Sequence, residues 1–367
     1  MWRFLRVTLA LAAVTSICAA GPSTPPYNPE ADHDAIIIGG GPSGLAALSS
    51  LARVRRNVLL IDSGEYRNGP TRHQHDILGV DGVDPAWFRY SARQQISHYE
   101  TIRMFNGTVT NIESLNNNTM FRVAYQLVPG GKTLVRTSLK IVLATGMRDL
   151  LPATPGLREA WGKGIYWCPW CDGHEHADQR LGIMTSLKYV PDNAQEMWTL
   201  NQDIVAFTNG TDTPTMRATI DQSSPSGTEY LKLRNIPVEN RIIRSIERTR
   251  NGGSNHNDPS LPTAPEYDQF RIHFDDGSFI DRDAIYGQFP KEQASTLGQR
   301  LGVHLVNGQL MSDIAKGSMT NIPGVYAVGD ANSDGSDAVY HALWSGKRAA
   351  INIHVTIEKE AAQRQLR

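Results

Sequence analysis

The chain has 367 residues, 40% hydrophobic and 20% charged, with 32 glycines, 20 prolines and three cysteines; that balance describes a globular protein with a sizeable core and excludes collagen-like, coiled-coil and wholly disordered chains. The length suggests about two domains. Its 36 basic and 37 acidic residues give a formal charge of −1 with no long run of either sign, so no basic stripe points to nucleic acid, and three cysteines are too few for a disulfide framework in a chain this long.

Met1 to Arg6 carries two arginines, an apolar run from Val7 to Ala20 follows, and the run closes on Cys18-Ala19-Ala20. Basic, apolar and small-residue parts in that order predict a secretory signal peptide over residues 1–20, with an uncleaved anchor as the alternative. The run falls short of the roughly 20 apolar residues that cross a bilayer, so no stable membrane insertion is expected. Cleavage after Ala20 leaves 34 basic and 37 acidic residues, and Cys168 and Cys171 as the remaining cysteines. Residues 21–33 hold Pro22, Pro25, Pro26 and Pro29 and read as an extended linker. Asn106-Gly-Thr, Asn117-Asn-Thr and Asn209-Gly-Thr are glycosylation sequons, usable on a secreted chain.

Ala35–Ile38 reads as a buried strand, Pro42 to about Val54 as a helix, and Val58–Ile61 as a second strand ending in Asp62, which together make a βαβ unit. Leu139–Ala144 is a further strand candidate, running into Thr145-Gly146. A second α/β pattern starts near Leu181, continues through a helix from Asp192 to Leu200 and reaches a strand at Ile204–Phe207. Asn251–Glu266, rich in Gly, Asn, Ser and Pro, reads as a mobile surface loop. Val325–Val328 is a short strand leading into Gly329-Asp330, and Ala338 to about Gln365 is helical.

Gly39-Gly40-Gly41-Pro42-Ser43-Gly44 fits G-x-G-x-x-G between a strand and a helix. Gly39 permits the tight turn, Gly41 lets backbone approach a pyrophosphate, and Gly44 lets helix and strand pack closely. The helix N-terminus supplies unpaired N–H groups and the positive end of its dipole. Asp62 stands where an acid accepts from ribose hydroxyls. Ser43 makes no hydrolase elbow, because its spacing is G-x-S-G.

Trp167-Cys168-Pro169-Trp170-Cys171-Asp172-Gly173 holds a C-x-x-C pair, which can close a small disulfide ring and exchange with thiols through a mixed disulfide. Two other readings are a structural disulfide, although so small a ring constrains little of the unfolded chain, and a zinc site from Cys168, Cys171, His174 and His176, whose His-x-His spacing is short for a finger. Trp167, Trp170 and Trp198 are candidates for a pocket that takes a flat metabolite, or for core.

Asp34 to Ile61, Ala144-Thr145-Gly146 and the run from Thr320 to Asp330 together resemble the FAD domain of the thioredoxin-reductase branch of the pyridine nucleotide–disulfide oxidoreductases. The resemblance implies an α/β fold of two Rossmann-like, three-layer ββα domains. The FAD domain would be discontinuous, over 32–153 and 285–367, and a degenerate NADPH-domain-like unit at 154–284 would carry the cysteines. It implies FAD contacts from Gly39, Gly41, Pro42, Ser43, Gly44, Asp62, Arg67, Asn68, Val109, Ala144, Thr145, Gly146, Asp330 and His341, and no metal. Cys-x-x-Cys-Asp-Gly matches the redox motif of these enzymes. By that resemblance Cys171 lies nearer the flavin, Cys168 exchanges with substrate, and Asp172 gives or takes a proton. His341, in Asp-Ala-Val-Tyr-His-Ala, is expected near the flavin, as a base for a thiol proton or as a packed or FAD-contacting residue.

Reductases of this branch carry a second glycine fingerprint after the cysteines, for NADPH. The equivalent stretch here is Leu181-Gly-Ile-Met-Thr-Ser-Leu-Lys-Tyr-Val-Pro191, with Thr185 and Leu187 where bare backbone is needed and no arginine cluster at Asn209-Gly-Thr-Asp. Asp62-Ser-Gly-Glu-Tyr-Arg-Asn68 and Ala144-Thr-Gly-Met-Arg-Asp149 are similar to segments of the fungal dithiol oxidases that close gliotoxin-type disulfides; those usually have His-Gly where this chain has Asp172-Gly173. The resemblance implies a homodimeric FAD-dependent thiol oxidase that takes a small dithiol and passes electrons to O2, giving H2O2; those oxidases are generally intracellular, whereas residues 1–20 predict that this chain is secreted. An NADPH-dependent disulfide reductase, a flavin oxidase of a non-thiol metabolite and a redox-silent FAD-binding protein are the alternatives.

Overall fold

A computed structural model describes residues 31–223, 227–253 and 263–366. The expected signal peptide, most of the proline-rich linker and the middle of the Asn251–Glu266 loop lie outside them.

The chain opens with β1 (His33–Ile38), α1 (Pro42–Arg53), β2 (Val58–Asp62), α2 (Pro85–Ile96) and β3 (Ile102–Asn106). The meander β4 (Thr108–Leu115), β5 (Met120–Gln126) and β6 (Leu134–Leu143) follows, then a short strand β7 (Met147–Asp149). The strand core is a near-continuous apolar run because both faces are buried. Ile37, Leu60 and Val142 face the helices, in one core cluster with Leu45, Leu48 and Leu51 of α1. The alternate residues Ile36, Ile38, Leu59, Ile61, Ile141 and Leu143 face Val109, Ile112, Phe121, Val123 and Tyr125 of the meander. Period-two alternation thus produces three layers, helices on sheet on meander.

The second unit comprises α3 (Leu157–Ala160), β8 (Ile165–Tyr166), α4 (Pro169–Asp172), β9 (Leu181–Met184), α5 (Val190–Met197), β10 (Ile204–Phe207), α6 (Pro214–Ser223) and α7 (Gly227–Leu233). Strands β11 (Val238–Glu239), β12 (Ile243–Arg250), β13 (Gln269–Phe274), β14 (Phe279–Arg282) and β15 (Ala284–Gly287) complete it. Its parallel sheet runs β11-β10-β9-β15-β8, and β12-β13-β14 form an antiparallel meander on the opposite face from α5 and α7. The layering of the first unit is repeated.

The chain then returns through β16 (Lys291–Gln293), α8 (Leu297–Leu301), β17 (Leu305–Val306), β18 (Gln309–Leu310), β19 (Val325–Ala327) and the long α9 (Val339–Gln365). β19 pairs parallel with β6, which puts the Gly329-Asp330 turn at the same sheet edge as the turn after β1. β16 pairs antiparallel with β7, so the two crossings between units run side by side.

β15 pairs with β9 and β8. The boundary expected at 284/285 therefore falls inside a strand of the second sheet, and the return begins after Gly287. The helix expected from Asp192 starts earlier, at Val190, behind a 3-10 turn at Leu187–Tyr189. Pro191 is tolerated in its first turn, where an N–H has no intrahelical partner.

Candidate functional site

The turn after β1 is built for close approach. Gly39 has φ +106°, and a Cβ there would stand 2.2 Å from the Ala144 carbonyl oxygen. A Cβ on Gly44 would stand 2.0 Å from the Gly39 carbonyl, which holds α1 against β1. A Cβ on Gly41 would meet nothing within 4 Å; it would project into open space. Pro42 occupies the first turn of α1, and no side chain caps that helix. Its N-terminal N–H groups and positive dipole end therefore face the cavity with the chemistry that binds a phosphate.

That cavity has a volume of about 780 Å³. Of the residues expected to touch the cofactor, Gly39, Gly41, Pro42, Ser43, Asp62, Arg67, Asn68, Val109, Ala144, Thr145, Gly146 and Asp330 all line it. So do Cys168, Cys171, Asp172, Trp167 and Trp170. One cavity brings the nucleotide cradle and the cysteine pair together, although more than a hundred residues separate them in the chain.

Asp62, 2% exposed, accepts from the Tyr66 hydroxyl and the Arg93 guanidinium through Oδ2, and from the Gly64 N–H at 3.2 Å through Oδ1. Arg67 grips Asp149 with two hydrogen bonds, at 3.0 and 2.9 Å, and lies 3.4 Å from Asp330 and 3.1 Å from Asp337. Burial works against the Arg67 charge, but the hydrogen bonds to Asp149 and the neighbouring carboxylates hold its proton more firmly than usual. Burial pushes the Asp330 carboxyl up to about 6, against the pull of Arg67.

Cys168 and Cys171 are joined as a disulfide. The Cys171 and Asp172 N–H groups both donate to the Cys168 carbonyl at 3.2 Å, so a single turn of α4 brings the sulfurs together. The pairing leaves no thiolates for the zinc alternative. His176, one of its other ligands, is 1% exposed and places Nδ1 3.1 Å from the Glu266 carbonyl oxygen. Burial raises the Asp172 carboxyl well above the usual carboxylate range, the charges of Glu266 and Glu175 raise it further, and Arg72 opposes them. Trp167 stacks on Trp161 at 5.0 Å, while Trp170 is 68% exposed beside the disulfide.

Sequence reading missed the charged cluster behind Asp172. The returning limb of the supposed surface loop carries Glu266, 8% exposed, onto Arg72, which also binds Asp268 at 2.8 and 3.0 Å. Burial raises the Glu266 carboxyl, but a hydrogen bond from His73 and the charges of Arg72 and His176 outweigh it and bring it down to about 2. His176, Glu266 and Asp268 lie close enough to hold a metal, yet the Arg72 guanidinium already supplies the cation between the two acids. The signal available in the sequence was the Arg72-His-Gln-His75 run, whose polar residues gave no periodicity to read.

Three expected residues sit elsewhere. His341 does not line the cavity. Ala338, Val339 and Ala342 do, and at about 100° per residue the helix turns His341 away from them, with Nε2 2.7 Å from Asp334 Oδ2. Gly44 serves helix packing and does not line the cavity. Trp198 packs outside the cavity, with the Arg234 guanidinium 4.4 Å from its ring.

In the second unit the turn after β9 is filled by side chains. Thr185 donates through Oγ1 to the Gln288 carbonyl at 3.0 Å, Leu187 is fully buried, and the Leu187 N–H is taken by Thr211 Oγ1 at 3.0 Å. Arg217 is paired twice with Asp212 at 2.6 Å.

Residues 33–184 match the pyridine nucleotide-disulphide oxidoreductase family model. A probable thioredoxin reductase of Arthroderma benhamiae is 45% identical, over 98% of this chain and 91% of its own. Thioredoxin reductase tcpT of Claviceps purpurea is 28% identical over 85% of this chain and 90% of its own. The crystal structure of a putative thioredoxin reductase, TrxB, from Bacillus anthracis superposes with a TM-score of 0.75 at 26% identity, over 90% of this chain and 99% of that one. Thioredoxin reductases of this family are FAD-dependent flavoproteins. The open space over Gly41, the uncapped α1 N-terminus and the cavity that joins them to the disulfide fit that cofactor. The chain therefore belongs to the pyridine nucleotide–disulphide oxidoreductases, as an FAD-dependent oxidoreductase of the thioredoxin-reductase type.

Proposed function

We propose that this protein is a dithiol oxidase: it closes a disulfide in a small dithiol at Cys168–Cys171 and discharges the electrons through FAD to O2. The observation that carries the reading is the filled turn after β9. A dinucleotide pyrophosphate needs bare backbone and free N–H groups there, and Thr185, Leu187 and Thr211 take up both. Without entry from NADPH, electrons come from the thiol substrate. The exposed Trp170 beside the disulfide offers a flat apolar platform for a small molecule.

A substrate thiolate attacks Cys168 Sγ, the Cys168–Cys171 bond breaks, and its electron pair leaves on Cys171. Asp172, next to Cys171 and with its carboxyl raised well above the usual range, supplies the proton to that sulfur. The second substrate thiolate attacks the substrate sulfur of the mixed disulfide, forming the product disulfide and releasing Cys168 as thiolate. Held by the Gly39–Gly41 turn, Asp62 and Asp330, FAD would supply the two-electron acceptor for the reduced pair and the outlet to O2, with H2O2 as product. Arg67 and the α1 N-terminus hold the site's charge pattern in place throughout. The basic, apolar and small-residue order of residues 1–20 supports a location in the secretory pathway, where disulfide formation is favoured, and we take the working unit to be a homodimer.

The test is an anaerobic titration of the FAD-loaded protein, following the visible flavin band. NADPH is expected to leave the band unchanged and a small dithiol to bleach it, with H2O2 formed when air is admitted. Stoichiometric bleaching by NADPH would overturn the oxidase reading in favour of an NADPH-dependent reductase; the relatives are named thioredoxin reductases.

A further inference from the structure

Thiol attack needs a base, and the cavity narrows the choice. Asp172, its carboxyl raised well above the usual range by burial, serves as the donor in the proposed cycle. Asp149, Asp330 and Asp337 are gathered round Arg67, Asp62 is held by Tyr66 and Arg93, and Glu65 and Asp76 are exposed to water. His341 faces Asp334, outside the cavity lining. Two histidines remain, His73 and His75, both lining the cavity with the cysteines. His73 is committed to Glu266 in the Arg72 cluster.

We infer that His75 is the base that accepts the substrate thiol proton, oriented by Glu175 from the second unit. This rests on the dithiol-oxidase reading. His75 Nε2 lies 3.4 Å from Glu175 Oε1, and the His75 and Glu175 side chains are 9% and 4% exposed. Glu175 stands three residues beyond Asp172 and also accepts from the Thr263 hydroxyl, so the carboxylate is carried on the redox segment itself and fixed from a second side. A carboxylate behind one ring nitrogen sets the tautomer and stabilises the imidazolium as it forms. The other nitrogen, Nδ1, is 3.6 Å from Oδ2 of Asp81, whose side chain is 38% exposed. Asp81 is itself held by the Ile77 N–H at 3.2 Å. The proton leaves the substrate S–H for Nδ1 and passes by Asp81 to water, while the thiolate forms the S–S bond to Cys168 and the electron pair of the old bond goes to Cys171. The charged and titratable groups around the ring are Glu175, Asp81, His73, whose ring centre is 6.3 Å away, and Asp172 in the same cavity.

The experiment is anaerobic stopped-flow reduction of the FAD-loaded protein by dithiothreitol, followed at the flavin band from pH 6 to 10. His75→Asn is expected to slow the reduction by about 10²-fold at pH 7, the usual worth of a positioned base. The rate should climb back toward wild type near pH 9, where a thiol of pKa ~8.5 ionises unaided. Free imidazole should speed His75→Gly and leave wild type unchanged. Glu175→Gln, which keeps the histidine, should slow the reaction about tenfold and move the rising limb to lower pH, because the imidazolium loses its counter-charge. Wild-type rates in His75→Asn, or an equal loss at every pH without imidazole rescue, would overturn the assignment. The half-reaction uses neither NADPH nor O2, so its outcome is separate from that of the NADPH titration.

Discussion

Asp172 shows how one residue can set a pH dependence. Its folded carboxyl titrates well above the value of an unfolded aspartate, chiefly through burial. In the proposed cycle its protonated form is the donor, and the donor is lost as pH rises through that raised value. Asp172→Asn should slow dithiol reduction of the flavin by about 10²-fold and remove the fall in rate at high pH, which the same stopped-flow series measures. Stability carries the opposite benefit. A raised carboxyl contributes stability that is complete below the unfolded pKa, about 3.9, and is lost as pH climbs through the folded value. The Asn variant should accordingly melt higher than wild type at pH 8, and the gap should close on acidification. Asp172 was legible in the sequence because it follows the cysteine pair. Its neighbours Glu266 and Arg72 were not, because a buried ion pair contributed by a polar loop has no periodic pattern.

At the scale of elements, the glycine turn shows local geometry that a sequence can announce. Gly39 and Gly44 meet the turn and packing demands assigned to them, a Cβ on Gly41 would meet open space, and β1, α1, β2 and β10 form where apolar periodicity placed them. Gly44→Ala puts a methyl 2.0 Å from the Gly39 carbonyl and must push α1 off β1. The purified variant should lose most of its flavin, read as the ratio of visible to ultraviolet absorbance, even though Gly44 does not line the cavity. The meander strands β12 and β13 were harder to read. Glu-Arg-Thr-Arg at the end of β12 alternates weakly, and those residues pair because β13 lies alongside them. The terminal helix was legible, but its phase was not. α9 touches the Ser43 backbone on α1 at Gly346, where a Cβ would stand 2.0 Å from the Ser43 carbonyl oxygen, and His341 lies against Asp334.

For the whole molecule, Arg67 is the joint. From the first unit it binds Asp149 on β7, and through Asp337 it meets Lys291 on β16, so both crossings to the second unit end on one guanidinium. Its side chain is 14% exposed. Arg67→Ala leaves Asp149 and Asp330 without their cation, with Lys291 still on Asp337, and removal of one member of a buried pair costs about 3–5 kcal/mol. Urea and thermal unfolding of the variant should show that loss, together with weaker retention of FAD.

The sequence by itself determined the family, the cofactor cradle and the redox pair. Each of these is a short-range arrangement whose geometry follows from neighbouring residues: glycines where backbone must come close, and cysteines one turn apart. Only the tertiary structure decided which distant side chains share the cavity. It brought His73 and His75 into the cavity of the cysteines, placed Glu175 and Glu266 behind Asp172, set Arg67 between the two crossings, filled the second phosphate turn and set His341 against Asp334, off the cavity lining. Most of those contacts join residues tens to hundreds of positions apart, and what fixes them is packing within and between the two three-layer units, which leaves no periodic trace in the chain.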